Sequence, residues 1–516
     1  MSNTGFEASE DGLSNITGDA SGQEPKTFRE IENTSIAEKT SPLEKLSESI
    51  QKVNLINTLE HDIRDPLHKY RKEDDYANVD NLKIPNSLYI VAIIHEIFKV
   101  AKRIKLGICV KHGAIYMYDG KYWSVISDEE IKSKLSSMTI KLGFYSPATA
   151  LTADFSEKLF KQFIKCGIDE GIPQREGKSI LINLNNGTLE IDSGNVKLRD
   201  HNRNDFLTYV LQYDYDEEAI APIFDNFINK VLPDTNSSLV LQEFLGYVFT
   251  TNLKLEKALI LYGGGANGKS VLFEVVSKLM GRDNISSMGL GDICSKGDKG
   301  NNYRAGLENK LINFSSEINS KGVNTDIFKA LVSGEPVSAR RLYKDGYELN
   351  NNAKMIFNAN ELPRESDRSH GFFRRFIIIP FEVTISEKEQ DIRLPNKIIA
   401  KELSGVLNWI IAGLIRVLEN GKFTQSNKVD NAHANFKREA NSVLQFIEEY
   451  QIVKNDYEFA STRDLYNTYS EYCNGSGYHR LSKDNFSKEL VKAGFEKMQR
   501  KVGGKNQRGF KSEFGE

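Results

Sequence analysis

The 516-residue chain reads as an α/β protein built on a parallel sheet, with an α+β module ahead of it and a helix–loop–helix–hairpin unit behind it. Three observations carry that reading. Four short apolar runs (258–262, 310–318, 353–363 and 374–381) alternate with helical stretches, the pattern of strands buried on both faces. Upstream, GAIYMYDGKYWSVIS alternates apolar and polar residues around Asp119-Gly120, a hairpin signature, and ILINLNNGTLEIDSGNVKLRD repeats the pattern with Asn186-Gly187 and Ser193-Gly194 as turns. Downstream, LSKDNFSKELVKAGF has helical spacing between a cap at Ser482 or Asp484 and a stop at Gly494, and a basic hairpin follows around Gly503-Gly504.

Length suggests three or four domains. Residues 1–50 are polar and acidic, with ten acidic against four basic side chains, and are expected to form a disordered tail because they carry too little apolar surface to offset their ordering entropy. Residues 51–86 read as a short helical linker, 87–230 as the α+β accessory domain, opening with the helix SLYIVAIIHEIFKVAKRI, and 231–390 as the α/β core. Residues 391–445 read as a helical lid or connector and 446–516 as the C-terminal unit.

Charged and aromatic shares are ordinary for a soluble globular protein, and no apolar run is long enough to cross a membrane. The N-terminus lacks the basic-then-apolar order of a secretory signal, so a cytoplasmic protein is expected. Cys109, Cys166, Cys294 and Cys473 show no C-x-x-C and no histidine at ligand spacing, and read as buried thiols rather than zinc ligands. Net charge is −3, but residues 491–511 hold seven basic side chains and one acidic, which is where an anionic partner would land.

The most informative stretch is LILYGGGANGKS. It fits G-x-x-x-x-G-K-[ST], with Gly263, Gly268, Lys269 and Ser270 at the fixed positions and Gly264, Gly265, Ala266 and Asn267 between them. Glycines expose backbone N–H donors to a phosphate chain and permit the turns that aim them inward. A buried strand precedes the loop, and a helix begins at Lys269-Ser270-Val271, so the positive helix N-terminus faces the anion. Lys269 would reach the β- and γ-phosphates of ATP and Ser270 would hold Mg²⁺.

Hydrolysis needs a group that orients water, on a strand beside the phosphate strand; Glu317, closing LINFSSEI, meets that demand as catalytic base and metal-side carboxylate. Asn360, at the end of MIFNAN, could contact the γ-phosphate or the water, with Asn358 the competing choice. LVSGEPVSARRLYKDGYELN reads as a hairpin whose Arg340, Arg341 and Lys344 make a basic loop with Tyr343 and Tyr347 on its arms, either a grip on a nucleic-acid backbone or a solvated surface hairpin. Arg374 and Arg375 open the last apolar strand, where an arginine could reach a phosphate bound by a neighbouring subunit.

Taken in this order, the motifs resemble the superfamily 3 helicases, AAA+ ATPases of small viruses, phages and plasmids. They are most similar to the helicase half of the phage/plasmid primase-helicase family, which is related to the poxvirus primase-helicase. YGGGANGKS resembles that family's Walker A and LINFSSE its Walker B. FKALVSGEPVSARRLYKD resembles its DNA-gripping B′ region, MIFNANELP its motif C and FFRRFIIIPF its arginine-finger strand. The likeness covers roughly residues 90–390, including the stretch before the ATPase.

The resemblance implies a ring, usually a homo-hexamer, with ATP at subunit interfaces and hairpins lining a channel for single-stranded DNA, acting at forked duplexes. On it Glu317 activates water, Asn360 senses the γ-phosphate, Arg375 enters the neighbour's site, and Lys344 and Arg340 face DNA. Two departures stand out: Ser316 replaces the first of the usual two Walker B acids, and the first 90 residues are too few for a polymerase-like domain, so a separate primase is expected. The C-terminal unit resembles a winged helix, with Arg500, Lys501, Lys505 and Arg508 on or beside the wing, for phosphate contact or protein docking. The expected function is an ATP-driven DNA helicase in replication of a phage, prophage, mobile island or plasmid. The alternatives are an ATP-switched initiator that melts or marks an origin and a protein-remodelling ATPase.

Overall fold

The computed structural model describes residues 41–63, 84–175, 177–192, 194–315, 318, 323–362 and 370–513. Helix α1 (Pro42–Ser49) opens with a capping box in which Ser41 Oγ accepts from Glu44 N and the Glu44 carboxylate accepts from Ser41 N. Leu43 and Leu46 on its inner face are fully buried. The expected disordered tail over 1–50 is therefore corrected at its end: capping contributes about 1 kcal/mol, and two buried leucines add roughly 1.5–3 kcal/mol each, enough to order a short helix. Residues 1–40 lie outside the described residues.

Helix α2 (Asn86–Arg103) leads into an antiparallel meander of β1 (Gly107–Lys111), β2 (Ala114–Tyr118) and β3 (Trp123–Ile126), backed by α3 (Asp128–Lys141) and α4 (Ala153–Asp169). The β2–β3 turn is the expected one: Asp119 Oδ1 accepts from the amides of Lys121 and Tyr122, and Gly120 is left-handed at φ 105°. Strand β1 had no sequence expectation, because the short GICVK run merges into the end of α2. Ile93, Ile97, Ile115, Leu135 and Phe163 share one core with α1.

A second meander, β4 (Ile180–Leu184), β5 (Gly187–Asp192) and β6 (Asn195–Arg199), follows with its expected pairing. Its Ile182, Leu184 and Leu189 pack into the same core as α5 (Pro222–Val231), α6 (Thr235–Tyr247) and one face of the central sheet. The apolar cores thus part upstream of β4 and not at residue 230, so the second meander is built into the central layer.

The central sheet holds β7 (Ala258–Tyr262), β8 (Ile285–Ser286), β9 (Ile312–Ser315), β12 (Lys354–Ala359) and β13 (Phe376–Pro380), all parallel, in the order β13-β7-β12-β9-β8. Helix α7 (Lys269–Met280) follows β7, and α8 (Gly297–Ala305) and α9 (Thr325–Ser333) flank β9. Between α9 and β12 the antiparallel hairpin of β10 (Pro336–Arg340) and β11 (Gly346–Asn350) leaves the layer. Sequence reasoning put the Glu317 strand beside the phosphate strand; instead β12 lies between β9 and β7. Adjacency in a parallel sheet is set by crossover packing, which apolar spacing does not encode.

Helices α10 (Leu394–Lys401) and α11 (Leu403–Asn420) pack beneath the sheet; a Cβ on Gly413 would lie 2.5 Å from the Gln242 carbonyl carbon of α6, so that crossing needs glycine. The C-terminal unit contains α12 (Asn427–Glu439), α13 (Ser442–Glu449), α14 (Thr462–Ser476) and α15 (Lys483–Lys492). A small antiparallel sheet, β14 (Ala460–Ser461), β15 (Lys497–Val502) and β16 (Lys505–Phe510), completes it, with Gly503 and Gly504 both left-handed at the expected tip. Cys109, Cys294 and Cys473 are buried and Cys166 is half-buried, and none of the four forms a disulfide. Among the described residues no single helix is long and apolar enough to cross a membrane.

Candidate nucleotide and nucleic-acid site

The loop from Gly263 to Gly268 leaves the C-terminal end of β7 and enters α7, as its sequence requires. Two of its glycines are sterically fixed. A Cβ on Gly263 would lie 2.4 Å from the Phe381 carbonyl oxygen, and one on Gly268, left-handed at φ 87°, would lie 2.7 Å from Val231 of α5. Gly264 and Gly265 are exposed with open space around the position of a Cβ, which is the cradle that a phosphate chain needs.

Neighbouring segments stiffen the loop. Asn267, buried, donates from Nδ2 to Gly264 O at 2.8 Å and Phe381 O at 3.2 Å, and Ile385 N donates to Ala266 O at 2.7 Å. Lys269 is 6% exposed and donates to Gly263 O at 2.5 Å, Gly264 O at 2.8 Å and Asn267 Oδ1 at 3.2 Å. Burial pushes its ammonium below the usual lysine range, with no carboxylate opposing the shift. Ser270 is exposed on the first turn of α7, and Val271 is half-buried behind it. The bracing role of Asn267 was missed in the sequence, where it reads only as loop filler.

The exit of β12 abuts this loop, because Gly263 N donates to Ala359 O at 3.1 Å. Asn360 is exposed immediately past the strand. Asn358 on the same strand has its Oδ1 buried with no hydrogen-bond partner among the described residues. The strand exit that carries both residues therefore borders the loop, and Asn358 holds an unsatisfied acceptor. Strand β9 ends at the buried Ser315; Ser316 and Glu317 lie outside the described residues.

The two arginines before β13 stand at the N-terminal end of the strands. They are one strand length, about 16 Å, from the phosphate-loop edge. Arg375 is 7% exposed; it donates to Gly371 O at 2.6 Å and Ser333 Oγ at 2.9 Å and pairs with Glu256 at 3.2 Å. The expectation that Arg375 projects into a neighbour is corrected: it is an internal strut. Arg374 is the outward arginine, half-exposed and held at 2.8 Å by Glu256.

The β10–β11 hairpin is basic as expected, but its cations are engaged within the chain. Arg341 meets Glu308 at 2.8 Å, Tyr347 OH donates to the same carboxylate at 2.7 Å, and His112 Nδ1, its ring stacked on Tyr347, lies 3.1 Å from it. Burial pushes Glu308 up, yet hydrogen bonds from Tyr347 and Arg341 outweigh it and hold the carboxyl below its ordinary range. Lys344 pairs with Asp128 at the start of α3, and Arg340 lies 3.5 Å from Asp298. The exposed tip is apolar and aromatic: Leu342 is 69% and Tyr343 99% exposed. Arg304, 3% exposed, anchors the hairpin base by donating to Ser338 O at 2.7 Å, the Ile293 and Ser295 carbonyls at 2.9 Å and Asn301 Oδ1 at 2.6 Å.

The second basic hairpin, β15–β16, is different. Arg500, Lys501, Lys505 and Arg508 are all exposed, and none has an ion pair among the described residues; Lys511, just past β16, pairs with Glu496 at 2.7 Å and Asp456 at 3.3 Å.

Three family descriptions match the chain: "D5 N terminal like" over residues 93–233, a family of unknown function, DUF5906, over 261–375, and "Poxvirus D5 protein-like" over 438–515. Among curated proteins, the chain is 27% identical over 210 residues to "Putative helicase L207/L206" of Acanthamoeba polyphaga mimivirus, covering 39% of this chain and 22% of that protein. It is 24% identical over 317 residues to "Putative primase C962R" of African swine fever virus, covering 60% and 31%. It is 22% identical over 307 residues to "Putative helicase 121R" of Invertebrate iridescent virus 3, covering 52% and 32%. The matches thus span about a fifth to a third of these relatives' length. The apo structure of the NrS-1 C-terminal region aligns over 80% of this chain and 98% of that one, at a TM-score of 0.45 and 14% identity. D5-type segments thus match on both sides of the phosphate loop, and in these segments the chain is similar to phage- and poxvirus-type primase-helicases.

Proposed function

We propose that the chain is an ATP-dependent DNA helicase of superfamily 3, an AAA+ motor that assembles as a homo-hexameric ring with a winged helix at its C-terminus. The observation that carries this reading is the placement of the phosphate loop and Arg374 at opposite ends of one parallel sheet. An arginine about 16 Å from its own loop cannot reach its own phosphates, whereas a neighbour stacked head-to-tail would receive it.

The cradle of Gly264 and Gly265, the N-terminus of α7 and Lys269 suit an ATP phosphate chain, and Ser270, exposed on the first turn of α7, would hold Mg²⁺. The metal would supply charge neutralisation at the β- and γ-oxygens. Lys269, held by neutral carbonyls only, would exchange them for phosphate oxygens and recover the charge stabilisation that burial removes. Asn358 and Asn360, on and just past β12, would act as γ-phosphate sensors, and Glu317, two residues beyond the end of β9 in sequence, would orient water. Because Gly263 is bonded to β12, a shift at the phosphates would pass along that strand to the hairpin preceding it.

Single-stranded DNA would meet the hairpin at Leu342 and Tyr343, where base stacking is sequence-tolerant. Lys344 would leave Asp128 for a phosphate; a partly exposed pair of this kind contributes only about 0.2–1 kcal/mol. The exposed cations of β15–β16 suit the arm of a forked duplex. They also favour the second reading, an ATP-switched initiator that binds through this hairpin and melts an origin without travelling.

Subunit complementation tests the shared site. Lys269→Ala and Arg374→Ala chains are each expected to be inactive alone, while an equimolar mixture regains a measurable share of ATPase through interfaces that pair an intact loop with an intact arginine. No recovery on mixing rejects the head-to-tail site.

A further inference from the structure

At the end of the central sheet opposite the phosphate loop, a cavity of about 470 Å³ separates the sheet from the accessory strands, within the size range of small-ligand sites. Its floor is the chain leading into three strands: 248–253 before β7, 307–311 before β9 and 349–352 before β12. Its roof is the β1–β2 turn, the entry to β4 and segment 206–209.

The electrostatics of this seam are one-sided. Lys111, Arg175, Lys178 and Lys310 line it, and Glu308, the sole carboxylate among its described lining residues, is already occupied by Arg341, Tyr347 and His112. A smaller pocket, sharing Thr251, Leu253 and Asn352 with it, adds Lys254, Lys257 and Lys354 and no carboxylate among its described lining residues. The Lys354 ammonium sits 4.3 Å over the Tyr247 ring, and burial pushes its pKa down to about 8. Burial likewise lowers Lys257 and Lys310.

Seven Lys and Arg side chains line the two pockets beside one occupied carboxylate. Among the described residues Lys310 and Lys257 are held only by the Asp283 and Arg374 carbonyls, and burial makes the charges of Lys257, Lys310 and Lys354 costly, a cost that an incoming anion would relieve. The rim is also conformationally unusual: His112, Phe206 and Asn309 are left-handed, at φ 48°, 48° and 64°. Non-glycine residues reach that region only against a steric penalty, and three on one rim mark it as a shaped surface. Lys111 lies 5.5 Å over the Phe206 ring, so cation and aromatic face are presented together.

We propose that this seam is a second phosphate-binding site, separate from the loop at Gly263–Ser270, which takes a nucleotide unit with its phosphates on Lys111, Lys178 and Lys310 and its base beside Phe206. The shared chemistry is a base carrying phosphate, supplied either by a strand threading between the accessory strands and the sheet or by a free nucleoside triphosphate. The site does not depend on the chain being a motor.

Lysine acylation at pH 8, read by mass spectrometry on the full-length Lys269→Ala chain, tests it with a twenty-nucleotide oligo-dT, with ATP and with neither. Lys111, Lys178 and Lys310 are expected to be protected about fivefold or more by oligo-dT. Protection by oligo-dT alone assigns the source to a strand, and protection by ATP as well assigns it to a free nucleotide. Absence of protection by both overturns the proposal and leaves a hydrated gap between modules. In a Lys111→Glu/Lys178→Glu chain that melts at the unchanged temperature, Lys310 protection is expected to vanish while that of Lys501 and Lys505 persists. Lys310 protection that survives the double substitution overturns the site, whatever the ATPase and unwinding measurements give.

Discussion

The two hairpins singled out as basic are in opposite electrostatic states. In β10–β11 every cation singled out from sequence is paired within the chain: Arg341 with Glu308, Lys344 with Asp128 and Arg340 with Asp298. In β15–β16, Arg500, Lys501, Lys505 and Arg508 stand exposed without such partners among the described residues. Local composition reports that a hairpin is basic, but its partners come from segments tens to hundreds of residues away. A clamped hairpin suits a moving part that must be released, and an open one suits standing contact with a polyanion.

The largest effect is expected at the site that should leave this contrast intact. Lys269→Ala is predicted to lower ATP turnover roughly a hundredfold or more, the scale of losing one charge-stabilising group. DNA affinity measured without nucleotide should not change. Charge reversal of the open hairpin, Arg500→Glu/Lys501→Glu/Lys505→Glu, comes next: the slope of log affinity against log salt should fall by about 2–3, read by fluorescence anisotropy of a forked duplex.

Freeing the clamped hairpin is a smaller change. Asp128→Asn should raise DNA-stimulated turnover a few-fold while leaving the DNA-free rate unchanged; no change would mean that the Lys344 contact does not restrain the hairpin.

The smallest effect concerns Lys354. Its folded-state pKa, about 8, lies below the 10.5 of an unperturbed lysine. The unfolded chain therefore holds more protons between those values, and stability gains as pH rises from 8 towards 10.5. Below pH 8 the full cost of the buried ammonium is present, so Lys354→Met should raise Tm at pH 7 by about 2–4 °C per kcal/mol relieved, and the gain should shrink by pH 10.5. A melting curve at each pH decides it.

The phosphate loop was legible because its constraint is local: Gly263 and Gly268 must be glycine where the backbone passes Phe381 and Val231, and that constraint survives as a spacing rule. The strands were legible from apolar runs: β7 fills its run, and the other three came out shorter, as with β9 at Ile312–Ser315. Sheet order was not, so Glu317's strand was put one place too close to β7. Nor was the split between Arg374 and Arg375, since adjacent residues differ in burial only through the strut partners Ser333 and Gly371. The lysine-rich seam was invisible because six separate chain segments build it, none of them more basic than an ordinary surface.

The most direct test of the motor is steady-state ATPase with and without single-stranded DNA, run beside strand separation on a forked duplex, with Lys269→Ala as blank and Lys344→Ala as probe. The account predicts that DNA raises turnover, that the fork opens only with ATP, and that Lys344→Ala keeps basal hydrolysis while losing both stimulation and unwinding. Hydrolysis that ignores DNA, with the fork left closed, would contradict it.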